Sequence, residues 1–158
     1  MAIHVALVNP AVHWNTGNAG RTCIATGATL HLVQPVGFAP DEAKTRRAGL
    51  DYWEHVDLRV WPGWMEFESA IPSLGKPFIF SARGSRTLWD APLGASEDVV
   101  LIFGCEEGGG LSPELLRKYR DRVLSMPMVA PQVASINLST SVGIAVYEVL
   151  RQRRTAHP

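Results

Sequence analysis

Cysteine is scarce in this sequence, and long apolar runs are missing. Its two cysteines, Cys23 and Cys105, form no CxxC pair and no Cys/His cluster. A disulfide framework and a structural zinc site are therefore excluded, because each needs several such side chains. Apolar runs such as 99–103 are far shorter than the roughly 20 residues of a membrane-spanning helix. With no signal-peptide pattern after Met1, these absences predict a cytoplasmic protein that neither binds a metal nor enters a membrane.

Charge is also modest: only 19% of the residues are charged and the net charge is zero. Most nucleic-acid-binding proteins carry a basic excess, so composition alone argues mildly against RNA. The basic residues nevertheless cluster. A local cluster can bind phosphates in a neutral protein, especially where a dimer joins several, or it can be an ordinary solvated surface. The clusters are Lys44, Arg46 and Arg47; Arg83 and Arg86; and Arg151, Arg153 and Arg154.

Apolar residues are plentiful at 46%, enough for the core of a single α/β domain over residues 1–158. Strand-like runs alternate with helical patterns along the chain. This alternation predicts a parallel sheet with helices on both faces. The predicted strands are 3–8, 30–34, 56–61, 77–81, 99–103 and 123–129, and the predicted helices are 19–26, 41–47, 64–70, 113–119 and 137–153.

Three loops that follow or precede these elements have unusual compositions. Residues 15–21 form a polar segment predicted to cap the first helix, residues 104–111 are rich in glycine, and residues 135–141 open the last helix. Each alone could be a cap or a tight turn. Ligands of open parallel sheets bind at the carboxyl ends of the strands, so together the loops predict a ligand site. Neither the P-loop pattern nor GxGxxG is present.

In this order and spacing, the three loops resemble the motifs of the SPOUT (TrmH/SpoU-type) RNA methyltransferases. These motifs are N-x-G-N-x-x-R, G-x-E-x-x-G-L and S-x-N-L-S. The matching residues are Asn15, Gly17, Asn18 and Arg21; Gly104, Gly110 and Leu111; and Ser135, Asn137, Leu138 and Ser139. Residues 46–52 are similar to a segment of the short members that methylate the wobble ribose of tRNA.

The resemblance implies a C-terminal trefoil knot, a rare exception to the usual chain topologies, and a homodimer. It implies S-adenosylmethionine as cofactor and 2′-O-methylation of the ribose at the wobble nucleotide, with the tRNA anticodon stem-loop as partner. Three alternatives stay open. They are methylation of another tRNA position or of rRNA, a catalytically silent RNA-binding dimer, and base methylation through Cys23 or Cys105.

The resemblance also implies the residues of the site. Catalytic roles fall on Arg21, Ser135 and Asn137. Cofactor contacts fall on Phe80, Gly104, Leu111, Met126, Ser135 and Leu138. Substrate contacts fall on Asn15, Asn18, Arg46, Arg47, Tyr52 and Glu107.

Two features of this site call for interpretation from chemistry. The second motif is one residue longer than the family spacing, so either Glu106 or Glu107 could be its acid. A guanidinium stays protonated and has no acceptor atom, so Arg21 is a poor general base. We expect Arg21 to clamp a phosphate and orient the ribose, with the hydroxyl proton lost late or to water.

Overall fold

The computed structural model describes residues 1–39 and 50–156. Its seven strands form one sheet in the order β3-β2-β1-β6-β4-β7-β5, and every neighbouring pair is parallel. The strands are β1 Ile3–Val8, β2 Thr29–Val33, β3 Leu58–Trp61, β4 Lys76–Phe80, β5 Arg86–Thr87, β6 Val99–Phe103 and β7 Val123–Ser125. The helices are α1 His13–Thr26, α2 Trp64–Leu74, α3 Pro113–Lys118 and α4 Leu138–Ala156. The predicted parallel α/β sheet is confirmed.

The central strands alternate their side chains between two cores. In β6, Val99, Leu101 and Phe103 pack with α1 and α4, whereas Val100 and Ile102 pack with α2 on the other face. This period of two is the ordinary consequence of strand geometry. Both faces of β1 and β6 are covered, which explains why these strands are almost continuously apolar.

The first helix begins earlier than the sequence predicts. Residues 15–18 were expected to form a loop that caps a helix starting at Ala19, but α1 starts at His13 and Asn15 is buried within it. The residue before the helix, Val12, makes no side-chain cap. The side-chain amide of Asn15 instead forms hydrogen bonds with Glu106 and Asn137, so its capping propensity does not decide where the helix begins.

Other boundaries follow local chemistry more closely. As predicted, α3 starts with Ser112 as its cap, the hydroxyl oxygen accepting from the N–H of Leu115 at 3.2 Å, followed by Pro113. The prediction that the last strand continues to residue 129 is wrong: β7 ends at Ser125, two residues before Pro127, which has no N–H to donate. Helix α2 continues to Leu74, past the predicted end. The predicted helix 41–47 lies outside the described residues.

A buried arginine fixes the far end of α4. The guanidinium of Arg153 donates to the carbonyl oxygens of Met1 and Glu97 at 2.8 and 2.7 Å, and more distantly to those of Ala2 and Ser96. One side chain therefore ties the helix to the start of β1 and to the segment before β6. This holds the helix whose opposite end forms the third motif.

A buried histidine pair joins three strands on the α2 side of the sheet. The indole N–H of Trp61 donates to His31 Nδ1 at 2.9 Å, and His31 Nε2 lies 2.9 Å from His4 Nδ1. Because His31 accepts at Nδ1, its proton is on Nε2 and is donated to His4. Burial lowers the pKa of His31 to about 3, so it is neutral in the folded protein.

Across residues 1–39 and 50–156, no helix combines the length and apolar character needed to cross a bilayer.

Candidate active site

A cavity of about 450 Å³ lies at the carboxyl ends of β4 and β6. This volume falls within the usual range for small-molecule sites. Phe80 and Phe103 end these two strands, and their rings stack with centroids 4.7 Å apart. They form an aromatic wall of the cavity. The remaining apolar lining includes Leu111, Met126, Met128, Ile136 and Leu138.

The three motifs meet at this cavity. All six residues that the sequence predicts as cofactor contacts line it, and Asn15 and Asn137 line it as well. The six are Phe80, Gly104, Leu111, Met126, Ser135 and Leu138. Sequence reasoning missed Phe103, Ser81 and Ala82, although all three stand at the ends of predicted strands, where the carboxyl-end rule could have found them.

A chain of hydrogen bonds ties the motif side chains together. One carboxylate oxygen of Glu106 accepts from the backbone N–H of Ala11 at 2.9 Å, and the other accepts from Asn15 Nδ2 at 3.2 Å. The amide oxygen of Asn15 in turn accepts from Asn137 Nδ2 at 2.9 Å. The chain thus crosses from the second motif through the first to the third.

Asn137 also caps α4. Its amide oxygen accepts from the backbone N–H groups of Ser139 at 2.9 Å and Thr140 at 3.3 Å, and from the Ser139 hydroxyl at 2.7 Å. The helix was predicted to begin near this residue, and that start is confirmed. The hydrogen-bond chain therefore ends on the unsatisfied N–H groups of a helix terminus.

The structure separates the two glutamates that the sequence could not. Glu106 is half-buried and holds both ends of its carboxylate in hydrogen bonds. Glu107 is exposed, and its side chain makes no hydrogen bond with the part of the chain that the structure describes. Its backbone N–H lies 3.3 Å from Cys105 Sγ. Glu106 is therefore the acid that joins the loops.

Glycines let the second motif fold tightly beside the cavity. A Cβ on Gly104 would lie 2.7 Å from the nitrogen of Leu111 and 2.8 Å from the carbonyl carbon of Gly110, so the two ends of the loop can touch only without a side chain there. Gly108, Gly109 and Gly110 have φ angles of +72°, +87° and +81°. An L side chain in this region costs roughly 1–2 kcal/mol per residue, which accounts for the run of glycines.

Apart from Asn15, which lines the cavity, the described residues predicted to hold the substrate do not line it. Arg21 is exposed on α1, and its guanidinium carbon lies 5.3 Å from the ring centroid of Tyr52, which is itself exposed. Asn18 is exposed about one turn before Arg21 on the same helix. Asn18, Arg21 and Tyr52 thus share an outer surface, while Arg46 and Arg47 lie outside the described residues.

The cysteines differ sharply in setting. Cys23 is completely buried in the core, and burial raises the pKa of its thiol to about 12, so it cannot serve as a thiolate nucleophile. Cys105 is half-buried at the edge of the cavity. Over the described ranges, no three His, Cys, Asp or Glu side chains come together as metal ligands.

Known proteins share both the sequence and the fold of this chain. Residues 2–147 match the SpoU rRNA Methylase family. A putative tRNA (cytidine(34)-2'-O)-methyltransferase of Bacillus subtilis is 41% identical over 155 residues, covering 97% of this chain and 94% of the relative. A tRNA (cytidine(34)-2'-O)-methyltransferase of Burkholderia pseudomallei is 40% identical over 151 residues, covering 94% of each chain.

Solved structures agree. One, described as giving insights into the 2-OH methylation of C/U34 on tRNA, superposes with a TM-score of 0.89 at 42% identity, covering 98% of this chain and 97% of that one. An AdoMet-bound rRNA methyltransferase from Sinorhizobium meliloti superposes with a TM-score of 0.84 at 25% identity, covering 95% of this chain and 56% of the other. The resemblance read from the three motifs is confirmed, and the chain belongs to the SpoU rRNA methylase family.

Proposed function

We propose that this protein transfers a methyl group from S-adenosylmethionine to the ribose 2′-hydroxyl of the wobble nucleotide of tRNA. The observation that carries the proposal is that three sequence motifs meet at one cavity. Hydrogen bonds from Glu106 through Asn15 to Asn137 hold the three motifs together there. Relatives about 40% identical over nearly the whole chain are named for this reaction at cytidine 34. The reaction predicted from the sequence agrees with those names.

The cavity fits such a cofactor in size and chemistry. Its apolar wall of Phe80, Leu111, Met126 and Leu138 suits an adenine ring and an aliphatic chain, and Gly104 brings backbone close enough to hydrogen-bond polar edges. When bound, the cofactor supplies a methyl group on a positively charged sulfur, which leaves as a neutral thioether. The protein therefore has to align the hydroxyl, exclude water and let one proton depart.

In this proposal each predicted residue has a role in alignment. Arg21 holds a phosphate beside the reacting nucleotide through its planar fork, and the contact with the Tyr52 ring restricts its side chain. Ser135 and Asn137 position the cofactor and the start of α4. The predicted RNA contacts are Asn15, Asn18, Arg46, Arg47, Tyr52 and Glu107. Of these, Asn15 is buried in the hydrogen-bond chain, so its contribution is to position Asn137.

The proposal includes a homodimer and a trefoil knot around the cofactor. Arg21 does not line the cavity of its own chain, so a second copy that brings Arg21 to the partner's cavity would complete the site. Ile144 and Tyr147 on α4 and Val129 and Val133 before it are exposed apolar side chains, which a second copy would bury. The knot is supported by the third motif lying at the same cavity as the second, with Asn15 hydrogen-bonded to both. We place the enzyme in the cytoplasm, where tRNA is used.

The test is a methylation assay with labelled cofactor and unmodified tRNA transcripts, followed by mapping of the label. Label on the 2′-oxygen of nucleotide 34 is expected. Label elsewhere in tRNA or in rRNA would redirect the substrate assignment. Absence of label in any RNA, with Arg21 intact, would leave a silent RNA-binding protein. Equilibrium sedimentation tests the dimer, and Tyr147→Asp is expected to shift it to monomer, because a charge would be buried in the interface.

A further inference from the structure

A second, shallower hollow of about 350 Å³ lies beside the cofactor cavity. Its lining consists of Arg83, Pro113, Leu116, Arg117 and Arg120. We call it the arginine cleft. Arg83 comes from the loop after β4, whereas the other four come from α3 and the turn that leads into β7. Three of its five lining residues are thus arginines, and the surface between them is mostly apolar.

The arginine cleft and the cavity are lined by neighbouring residues of the same two segments. Ser81 and Ala82 line the cavity, and the next residue, Arg83, lines the cleft. On the other side Leu111 lines the cavity, and Pro113 lines the cleft two residues later. A ligand that occupies the cleft therefore lies next to one that occupies the cavity.

The charges of the cleft are available to a ligand. Arg83, Arg117 and Arg120 are all exposed. Within residues 1–39 and 50–156, Arg83 and Arg117 form no ion pair, and the Arg120 guanidinium is 4.0 Å from Asp121, an exposed contact of little energy. The neighbouring Lys118, by contrast, is paired with Glu68 at 2.6 Å. The acids next to these residues in sequence are Glu114 and Asp121, and neither lines the cleft.

We propose that the arginine cleft binds the phosphodiester backbone of the RNA substrate next to the nucleotide that is methylated. Guanidinium groups match phosphate oxygens in a bidentate manner, and the Pro113 and Leu116 surface suits a ribose or base edge. The proposal rests on the proposed function, because it takes the occupant of the neighbouring cavity to be the methyl donor. It explains how a chain with zero net charge holds RNA: the positive charge is concentrated where the strand passes.

A matched pair of double variants tests this role. Arg83→Gln/Arg117→Gln removes two charges from the cleft, and Arg59→Gln/Arg154→Gln removes two exposed charges far from it. Arg59 is on β3, which three other strands separate from β4, and Arg154 is 16 residues along α4 from its first residue, roughly 24 Å. Binding of a tRNA anticodon hairpin is measured against salt concentration, without methyl transfer.

The two doubles should differ clearly. Each lost phosphate contact to a single strand makes the slope of log K against log salt concentration shallower by about 0.7. The slope of the cleft double variant should therefore be shallower by about 1.4, and this variant should bind roughly 25-fold more weakly at 0.1 M salt. The control double should change by no more than about threefold, because distant exposed charges are screened. In the methylation assay the cleft double should raise KM for RNA with little change in kcat, and its affinity for S-adenosylmethionine should not change.

The outcomes separate this inference from the proposed function. Equal salt slopes for the two doubles, or a wild-type protein that does not bind the hairpin, would overturn the role of the cleft. A wild-type protein that methylates tRNA while the cleft double binds normally would refute only the cleft. If the cleft double variant loses salt-dependent binding but the wild-type protein methylates no RNA, only the proposed methyl transfer would be refuted. Single variants Arg83→Gln and Arg117→Gln should each show about half the change in slope.

Discussion

The hydrogen-bond chain through Glu106 can be tested with a change of a single atom. Glu106→Gln keeps the shape of the side chain and replaces one carboxylate oxygen by an NH2 group. The chain begins on a donor, the Ala11 N–H, and ends on donors, the N–H groups at the start of α4. Between these ends lie the amides of Asn15 and Asn137. Each donates one hydrogen bond through its NH2 group and accepts through its oxygen. A chain with donors at both ends needs one residue that only accepts, and Glu106 is that residue.

Glutamine cannot satisfy this requirement by rotation. If its oxygen faces Ala11, its NH2 group faces the NH2 group of Asn15. If the amide of Asn15 rotates by 180°, its NH2 group faces the NH2 group of Asn137. If the amide of Asn137 rotates as well, the NH2 group of Asn137 faces the backbone N–H of Ser139. One donor–donor contact remains wherever the amides turn. The loss of one hydrogen bond to a charged acceptor corresponds to about 2 kcal/mol at this half-buried site.

The expected result is a free energy of unfolding in urea that is lower by about 2 kcal/mol, or an affinity for S-adenosylmethionine reduced by roughly 30-fold, or a division of that energy between the two. The neighbouring Glu107→Gln is the matched control, since it makes the same change at an exposed side chain. It should alter the stability by less than about 0.5 kcal/mol and leave cofactor affinity unchanged, with any effect confined to RNA. If Glu107→Gln costs as much as Glu106→Gln, the reasoning is refuted.

Three further predictions follow from the same structure. Arg21→Lys should lower kcat/KM for tRNA by roughly 10- to 100-fold with normal cofactor affinity, because lysine lacks the bidentate fork; near-normal methylation would contradict the clamp. The pKa of His31 is lowered to about 3 in the folded protein, so between pH 7 and 5 only the unfolded chain, in which a histidine has its ordinary pKa of 6.5, takes up a proton. The free energy of unfolding in urea should therefore decrease by about 2 kcal/mol from pH 7 to pH 5. A His31→Gln variant with an equally steep pH dependence would exclude this origin. Arg153→Met should lower the free energy of unfolding by about 2–4 kcal/mol, as buried carbonyl groups lose their donor, whereas Arg154→Met should have little effect.

Much of the fold could be read from patterns of near neighbours. The apolar runs of β1 and β6 and the alternation of strands with helices predicted the parallel sheet, because a strand covered on both faces has to be apolar throughout. The start of α3 was visible in Ser112 and Pro113, since a cap acts within one turn. The family was visible in three short motifs, whose residue types are dictated by contact with a common ligand site.

By itself, then, the sequence determined the fold class, the three motifs and the family, since each depends on residues within a few positions of one another. Three features became visible only in the folded protein: Asn15 lies inside α1, Glu106 rather than Glu107 joins the loops, and Arg83 and Arg117 line one cleft. Asn15 finds its partners 91 and 122 residues further along the chain. Two adjacent glutamates look alike until a distant partner donates a hydrogen bond to one of them, because a hydrogen bond depends on distance and direction in space rather than on position in the sequence.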